Sequence, residues 1–352
     1  MKSLIATAFT LLFSIGFAQT NKETAVSKTK EAVGLMEKSQ IKQSLKLLDQ
    51  AFNLDPENID IVYEMGYAYY LDNDYKNAIK KLESVINSND ATDRYFELLG
   101  NSYDMLGKSE KAVNIYTTGL KKNPKSGPLH LELGVMMLLR KEYNNALNYF
   151  EQGIDRAPDF SSNYYWASKL YFSTEEEVWG MMYGEIFMNL ERNSKRTKEI
   201  SKLLYDTYKS EIKVASDSSY SVSFSKNNTV KDLKKIPFGI AVYEPILVAA
   251  VGVEAPKEIN LQSMVGIRKH FIDIYSSKKM KKSERNVLFD FEKKLAENDF
   301  LEAYSYWILM KGDDEGFSKW AEENKETWDK FVTYFSKNPI EINEENKFNS
   351  GQ

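Results

Sequence analysis

The sequence predicts an all-α fold: a stack of paired antiparallel helices, then a mostly helical second region with at most one short strand pair. Three observations predict it. Gly66, Gly100 and Gly134 stand 34 residues apart. Ala78, Ala112 and Ala146 keep the same interval, each twelve residues after a glycine. Pro56, Pro124 and Pro158 fall in the same register and close units. A fixed period of this length marks a supersecondary unit that cannot bury its apolar face alone and stacks on its neighbours.

Units begin at Ala25, Ile59, Asp93, Gly127 and Ser161. Position 8 is then Ala32, Gly66, Gly100, Gly134 and Ser168, and position 20 is Ser44, Ala78, Ala112, Ala146 and Gly180, all small. Position 11 is Leu35, Tyr69, Tyr103, Met137 and Tyr171, and position 24 is Leu48, Leu82, Tyr116 and Phe150, then Gly184. Small residues let two helices approach closely, and large ones fill the space beside that contact. Short turns such as Asn73-Asp74-Tyr75 and Gly107-Lys108-Ser109 end one helix and start the next.

This pattern resembles the tetratricopeptide repeat family, with small residues at 8 and 20, bulky ones at 4, 7, 11 and 24, and proline at 32. Phe96, Leu99, Gly100, Tyr103, Ala112, Tyr116 and Pro124 carry one match; Leu133, Gly134, Ala146, Phe150 and Pro158 carry another, with His130 at position 4. The Ile59 unit has Asp90 in place of the proline, and the first and last units are degenerate. The resemblance implies a right-handed helical-hairpin solenoid over residues 25–193 with a concave, peptide-binding face. Positions 2, 5, 9 and 12 of each first helix would line it: Tyr63, Tyr67 and Tyr70; Arg94, Glu97, Asn101 and Asp104; Leu131, Val135 and Leu138; Tyr165 and Phe172. The family's clamp for C-terminal carboxylates is absent, because Tyr63, Tyr67, Leu98, Pro128 and Glu132 stand where its Lys, Asn and Arg residues belong.

Residues 1–18 read as a signal peptide: Lys2, an apolar run over 4–17, and small residues Gly16 and Ala18 before a cleavage point. The run is short for a membrane span. Removing it takes the formal net charge from −4 to −5, since Lys2 is its one charged side chain. A mildly acidic chain disfavours nucleic acid. The absence of cysteine excludes disulfides and thiolate metal sites, and suits an exported protein of a bacterial envelope, periplasmic or secreted. Residues 19–24 read as a linker.

The region 194–340 is expected to be a helical domain. Residues 173–177 spell two overlapping capping boxes. Helices are predicted over 198–213, 260–275 and 284–297, and one last helix over 315–337. Residues 219–225 alternate as a strand without an obvious partner. The most apolar stretch, 236–253, holds Glu244 and Pro245 in its middle, which argues against membrane insertion and for a buried, broken helix. Asn298-Asp299-Phe300 repeats the turn of Asn73-Asp74-Tyr75, so 284–311 reads as a repeat-like hairpin outside the 34-residue phase. Residues 341–352 are polar and expected to be flexible.

No phosphate loop, nucleophile elbow or zinc-binding histidine pair appears, and no cofactor or metal is implied. Of two histidines, His130 fills a bulky repeat position and His270 follows Arg268-Lys269 on what reads as a solvated face. The expectation is a non-enzymatic adaptor that holds a protein partner in the groove. One alternative is a structural or oligomerising protein whose C-terminal helices fill that groove. Another is an enzyme or small-ligand binder in the C-terminal part, for which no two carboxylates are paired by sequence. The partner and oligomeric state are not encoded legibly.

Overall fold

The computed structural model describes residues 2–216, 219–225, 236–278, 286–348 and 350. They are α-helical apart from one strand pair and connecting turns, and they divide into two compact units, Met1–Met136 and Met137–Gln352.

The first unit runs α1 (Lys2–Glu37), α2 (Ile41–Leu54), α3 (Ile59–Leu71), α4 (Tyr75–Glu83), α5 (Asp93–Met105) and α6 (Ser109–Lys122), and the division falls within α7 (Gly127–Leu139). Successive helices pair as hairpins. The 19–24 segment is helix, not linker: no Gly or Pro lies between Gly16 and Gly34 to stop α1. Ala25, Ala32 and Met36 of α1 bury against Leu48 and Ala51 of α2 and Ile61, Met65 and Ala68 of α3. α4 has 9 residues where α6 has 14. Ser84, Asn87, Ser88 and Asn89 follow it, and poor helix formers replace the last turn there.

Each hairpin turn is made the same way. Ser39, Asn73 and Gly107 take left-handed backbone at φ 59°, 61° and 70°. Asn73 N donates to Tyr70 O at 3.0 Å and Asp74 N to Tyr69 O at 2.9 Å; Gly107 N and Lys108 N repeat this onto Asp104 O and Tyr103 O. These paired bonds satisfy carbonyls that a helix end leaves open. Asp74 and Asn58 then cap the following helices through Asn77 N and Asp60 N.

The position 8 glycines have a specific steric reason. A Cβ on Gly66 would meet Leu82 Cγ at 2.9 Å, and one on Gly100 would overlap the Tyr116 ring. The small residue at 8 therefore seats the large residue at 24 directly on the helix backbone. Tyr116 also crosses the interface to donate to Asn101 Oδ1.

The second unit continues with α8 (Tyr143–Arg156), α9 (Ser161–Tyr171), α10 (Glu177–Leu190) and α11 (Lys195–Glu211). Strands β1 (Ile212–Ser216) and β2 (Ser219–Val222) pair antiparallel with Ile212 opposite Val222, so the expected strand has a partner. Then come α12 (Glu244–Glu254), α13 (Leu261–Ser277), α14 (Val287–Glu297), α15 (Leu301–Leu309), α16 (Asp314–Glu323) and α17 (Lys325–Lys337). The expected boundary at 193/194 does not hold. Every α10 residue from Val178 to Asn189 is buried, and α9, α11 and α14 pack around it. A helix apolar all round is a core helix, so the last repeat hairpin belongs to the C-terminal unit.

Several local expectations change. Glu176, not a serine or threonine, precedes α10, and it makes no side-chain cap; Val178 N instead donates to Phe224 O at 3.1 Å. The capping box of α11 is Ser194 with Thr197. The 236–253 run is a π-helical turn over Gly239–Tyr243 leading into α12. Glu244 turns inward and accepts from Phe224 N at 2.8 Å and Ser225 N at 2.7 Å, which satisfies its charge locally. Val248 and Val253 are 51% and 60% exposed, so that helix is buried on one face only. Among the described residues no helix is long and apolar enough to cross a membrane. The expected 315–337 helix is two helices, broken at Asn324. The start predicted for α14 at 284 lies outside the described residues. Its turn into α15 repeats the pattern of the first unit: Asp299 has φ 62°, and Phe300 N donates to Leu295 O at 2.8 Å.

A buried ion network ties this unit together. Arg268 on α13 is 4% exposed. Its guanidinium donates to both carboxylate oxygens of Glu185 on α10, one at 2.8 Å. It also reaches Glu292 Oε1 on α14 at 2.7 Å and Ser305 Oγ on α15 at 3.2 Å. Burial alone would raise the Glu185 pKa; the guanidinium overcomes it and holds the group below the ordinary carboxylate range. Burial, then the Glu185 charge, pushes Glu292 well above that range. The pair is thus driven apart, Glu185 towards the ionised form that faces Arg268 and Glu292 towards the neutral one.

Gly100→Ala should destabilise the protein by about 1–3 kcal/mol through overpacking on Tyr116, while Gly66→Ala, which gains helix propensity and needs only a slight Leu82 shift, should stay within about 1 kcal/mol of wild type. Urea unfolding followed by circular dichroism separates them, and equal effects would remove the steric explanation. Arg268→Met should cost about 3–5 kcal/mol by stranding a buried carboxylate. Adding Glu185→Gln should recover a large part of that loss in the same titration.

Candidate functional site

In the first unit the first helices of successive repeats, α3, α5 and the first turns of α7, bring tyrosines and carboxylates together. Tyr63 is half-buried. The Arg94 guanidinium lies 4.2 Å from its ring centroid, and the Tyr95 ring lies 4.8 Å away. Arg94 pairs with Asp60, and Tyr95 Oη donates to Asp60 Oδ1 at 2.6 Å. Tyr63 and Arg94, both expected in the groove, therefore clasp α3 to α5. Burial is the main cause that pushes the Tyr63 phenol up to about 12.

Tyr67 is 37% exposed, and Tyr70 is half-buried with its ring edge-on to Tyr75 at 5.4 Å. Asn101 accepts from Tyr116, and Asp104 Oδ1 accepts from Ser109 Oγ at 3.1 Å. Leu131 and Val135 are half-buried. Glu97 is pushed up by burial and then by Asp93. Two further carboxylates at repeat position 6, Glu64 and Glu132, join this face. Burial raises Glu64, with Arg94 opposing. Glu132 is pushed up to about 7 by burial, then by the charges of Glu97 and Asp104. Glu132, Asp104 and Tyr67 also act electrostatically on Tyr70, which places these side chains around one region. The sequence signal for the two glutamates was their shared position beside a groove residue.

In the second unit Leu138 is half-buried. Tyr165 is 6% exposed: its hydroxyl donates to Glu199 Oε2 at 2.6 Å, and its ring lies 5.2 Å from Phe187 and 5.0 Å from the Arg196 guanidinium. Phe172 packs its ring on Gly180. The face of α9 is thus covered by α10 and α11, and these two residues are packing rather than open groove.

His130 is 4% exposed, with Nδ1 at 2.8 Å from Ser126 O, a packing position. His270 is partly exposed beside Glu254 at 3.4 Å. The Arg268 triad adjoins a cavity of about 10 Å³ lined in part by Met181, Tyr208, Tyr243 and Phe289. That is room for one water molecule at most, and the carboxylates of Glu185 and Glu292 both meet Arg268 there.

Residues 60–90 match the family described as tetratricopeptide repeat. A curated relative, the anaphase-promoting complex subunit CDC16 of Saccharomyces cerevisiae, is 28% identical over 119 residues, 32% of this chain. The match spans 14% of that relative's length. Among solved structures, a thermophilic tetratricopeptide-repeat protein of Thermus thermophilus aligns over 51% of this chain and 98% of its own, at 16% identity and TM-score 0.43. YrrB, a repeat protein with an unusual peptide-binding site, aligns over 51% and 92%, at 18% identity and TM-score 0.36. The matched unit is thus a tetratricopeptide repeat, and its neighbours share its 34-residue register of left-handed turns and its seating of large residues on small ones.

Proposed function

We propose that this chain is a non-enzymatic protein-interaction adaptor of a bacterial cell envelope, exported through residues 1–18, which holds a partner segment on the α3–α5–α7 face of its first unit. The observation that carries this reading is the joining of exposed Tyr67 and half-buried Tyr70 with half-buried Glu97, Asp104 and Glu132. Like charges sharing a partly dehydrated site are held at a cost, which a bound cation relieves. Aromatic rings beside them favour the same cation and bury its aliphatic stem. The partner segment therefore carries lysine or arginine among apolar residues. A second reading, a structural role for the C-terminal helices, draws support from Tyr165, which α11 already covers.

Co-purification from crosslinked envelopes tests the adaptor reading. Tyr67→Ala with Tyr70→Ala should lose the partner while keeping wild-type helicity; Tyr63 is left intact because it clasps α3 to α5. A partner retained by that variant moves the binding surface elsewhere. Affinity for the partner should rise from pH 6 to pH 8 as Glu132 ionises, and Glu132→Gln should flatten that rise. In the free protein the raised Glu132 pKa favours the folded state at low pH, and this advantage is lost as pH climbs from about 4.5 through about 7. Glu132→Gln should accordingly raise the melting temperature at pH 8 and leave it unchanged at pH 4, read by thermal scans at both values.

A further inference from the structure

The segment after α17, expected to be flexible, is packed at its described residues 340–348 and 350. It leaves α17 through Asn338-Pro339 and lies on α8, α9 and α10 of the same unit. Five of its residues, Glu341 and 343–346, are exposed. Its own asparagines hold it in turns: Asn343 N donates to Asn346 Oδ1 at 2.8 Å, and Asn346 Nδ2 to Glu341 O at 2.8 Å. Ile340 and Ile342 are buried beside these turns, and further anchors follow them.

Three of those anchors read like a recognition code. Lys347 Nζ donates to Asp155 O at 2.7 Å and pairs with Asp155 Oδ1 at 2.8 Å. Phe348, 2% exposed, sets its ring 5.4 Å from Trp179 and 4.8 Å from Phe238. Ser350 N donates to Tyr183 Oη at 2.8 Å, while Ser350 Oγ donates to Glu151 Oε1 and lies 3.1 Å from Tyr171 Oη. The receiving groups also bond to one another. Tyr171 and Tyr183 both donate to Glu151 Oε1, at 2.8 Å and 3.1 Å, across three helices. A basic residue, an aromatic ring and a hydroxyl each meet a matched receptor: a carboxylate, an aromatic pocket and a phenol–carboxylate cluster.

We infer that α8–α10, with Phe238, carry a peptide-docking site for protein segments with adjacent lysine and phenylalanine and a serine hydroxyl two residues on, and that residues 340–348 and 350 occupy it as a tethered ligand which such a segment displaces. This site is separate from the tyrosine–glutamate face of the first unit, and the failure of either leaves the other standing. A tethered ligand competes at high effective concentration, so the filled site takes an external segment weakly, and freeing it raises the apparent affinity by the fraction released.

The test uses the full chain and a fluorescently labelled peptide of residues 339–352, read by anisotropy. Phe348→Ala should bind the peptide at least about tenfold more tightly than wild type, and Glu151→Gln in that background should remove the gain. A cooperatively melting Phe348→Ala protein that binds the peptide no better than wild type overturns the inference. If Phe348→Ala does not melt cooperatively, the double variant Lys347→Ala/Ser350→Ala decides, since it leaves the ring in place. A severalfold gain there supports the docking site; no gain, or lost cooperativity, makes the segment ordinary core. Concentration-dependent dimers of wild type that the peptide dissolves would assign the site to a second copy and overturn the separate partner.

Discussion

A guanidinium taken wholly out of water must find its counter-charge within reach, and Arg268 imposes that condition on the whole C-terminal unit. Its five donors have fixed directions. Glu185, Glu292 and Ser305 meet them from three other helices, and the Tyr208 hydroxyl lies 3.4 Å away on a fourth. Neither α10 nor α14 can slide by a turn against α13 without breaking a buried ion pair. Apolar packing around α10 supplies the bulk of the cohesion, since every side chain from Val178 to Asn189 is buried. The network supplies register. It also explains how Glu185 can sit inside a largely apolar helix: the Arg268 guanidinium bonds both of its carboxylate oxygens.

The repeat half was legible because its determinants are local and periodic. A glycine at one position, a large side chain sixteen residues on and a left-handed turn residue are all read within one unit of sequence. The same local rule found the α14–α15 turn at Asp299, outside the main phase. The C-terminal unit was legible only as helices. Arg268 stands in an Arg-Lys-His run that reads as surface, and nothing nearby announces that Glu185, 83 residues away, is its partner. Phe348 is one ring in a polar tail, and its pocket is built from Trp179 and Phe238, each more than 100 residues earlier. The break at Asn324 escaped notice because Phe317, Trp320, Trp328 and Phe331 keep a continuous apolar pattern across it.

The two candidate binding surfaces differ in how they are kept. On the first unit, Tyr67 and Tyr70 remain accessible and the carboxylates repel one another, a state poised for a cationic visitor. On α8–α10 a complementary segment is already in place, so recognition there is an exchange and not a first encounter. The groove residues named from sequence divide along this line. Tyr63 and Arg94 became a clasp between repeats, Tyr165 and Phe172 became packing, and Tyr67 kept an exposed ring.

The hairpin turns have a consequence for the order of events in folding. Each closes through bonds spanning three to five residues, from Asn73 to Tyr70 and from Asp74 to Tyr69, so a repeat loses little chain entropy when it forms. The first unit is therefore built from contacts of short range and can assemble hairpin by hairpin. The second unit is closed by partners far apart along the chain, Arg268 with Glu185 and Ser350 with Glu151, the latter 199 residues away. Its contacts close longer loops at a higher cost in chain entropy, and α10 is covered only once they have formed. The molecule thus joins a half that nucleates quickly to a half that must wait, and the waiting half holds the helix most in need of cover.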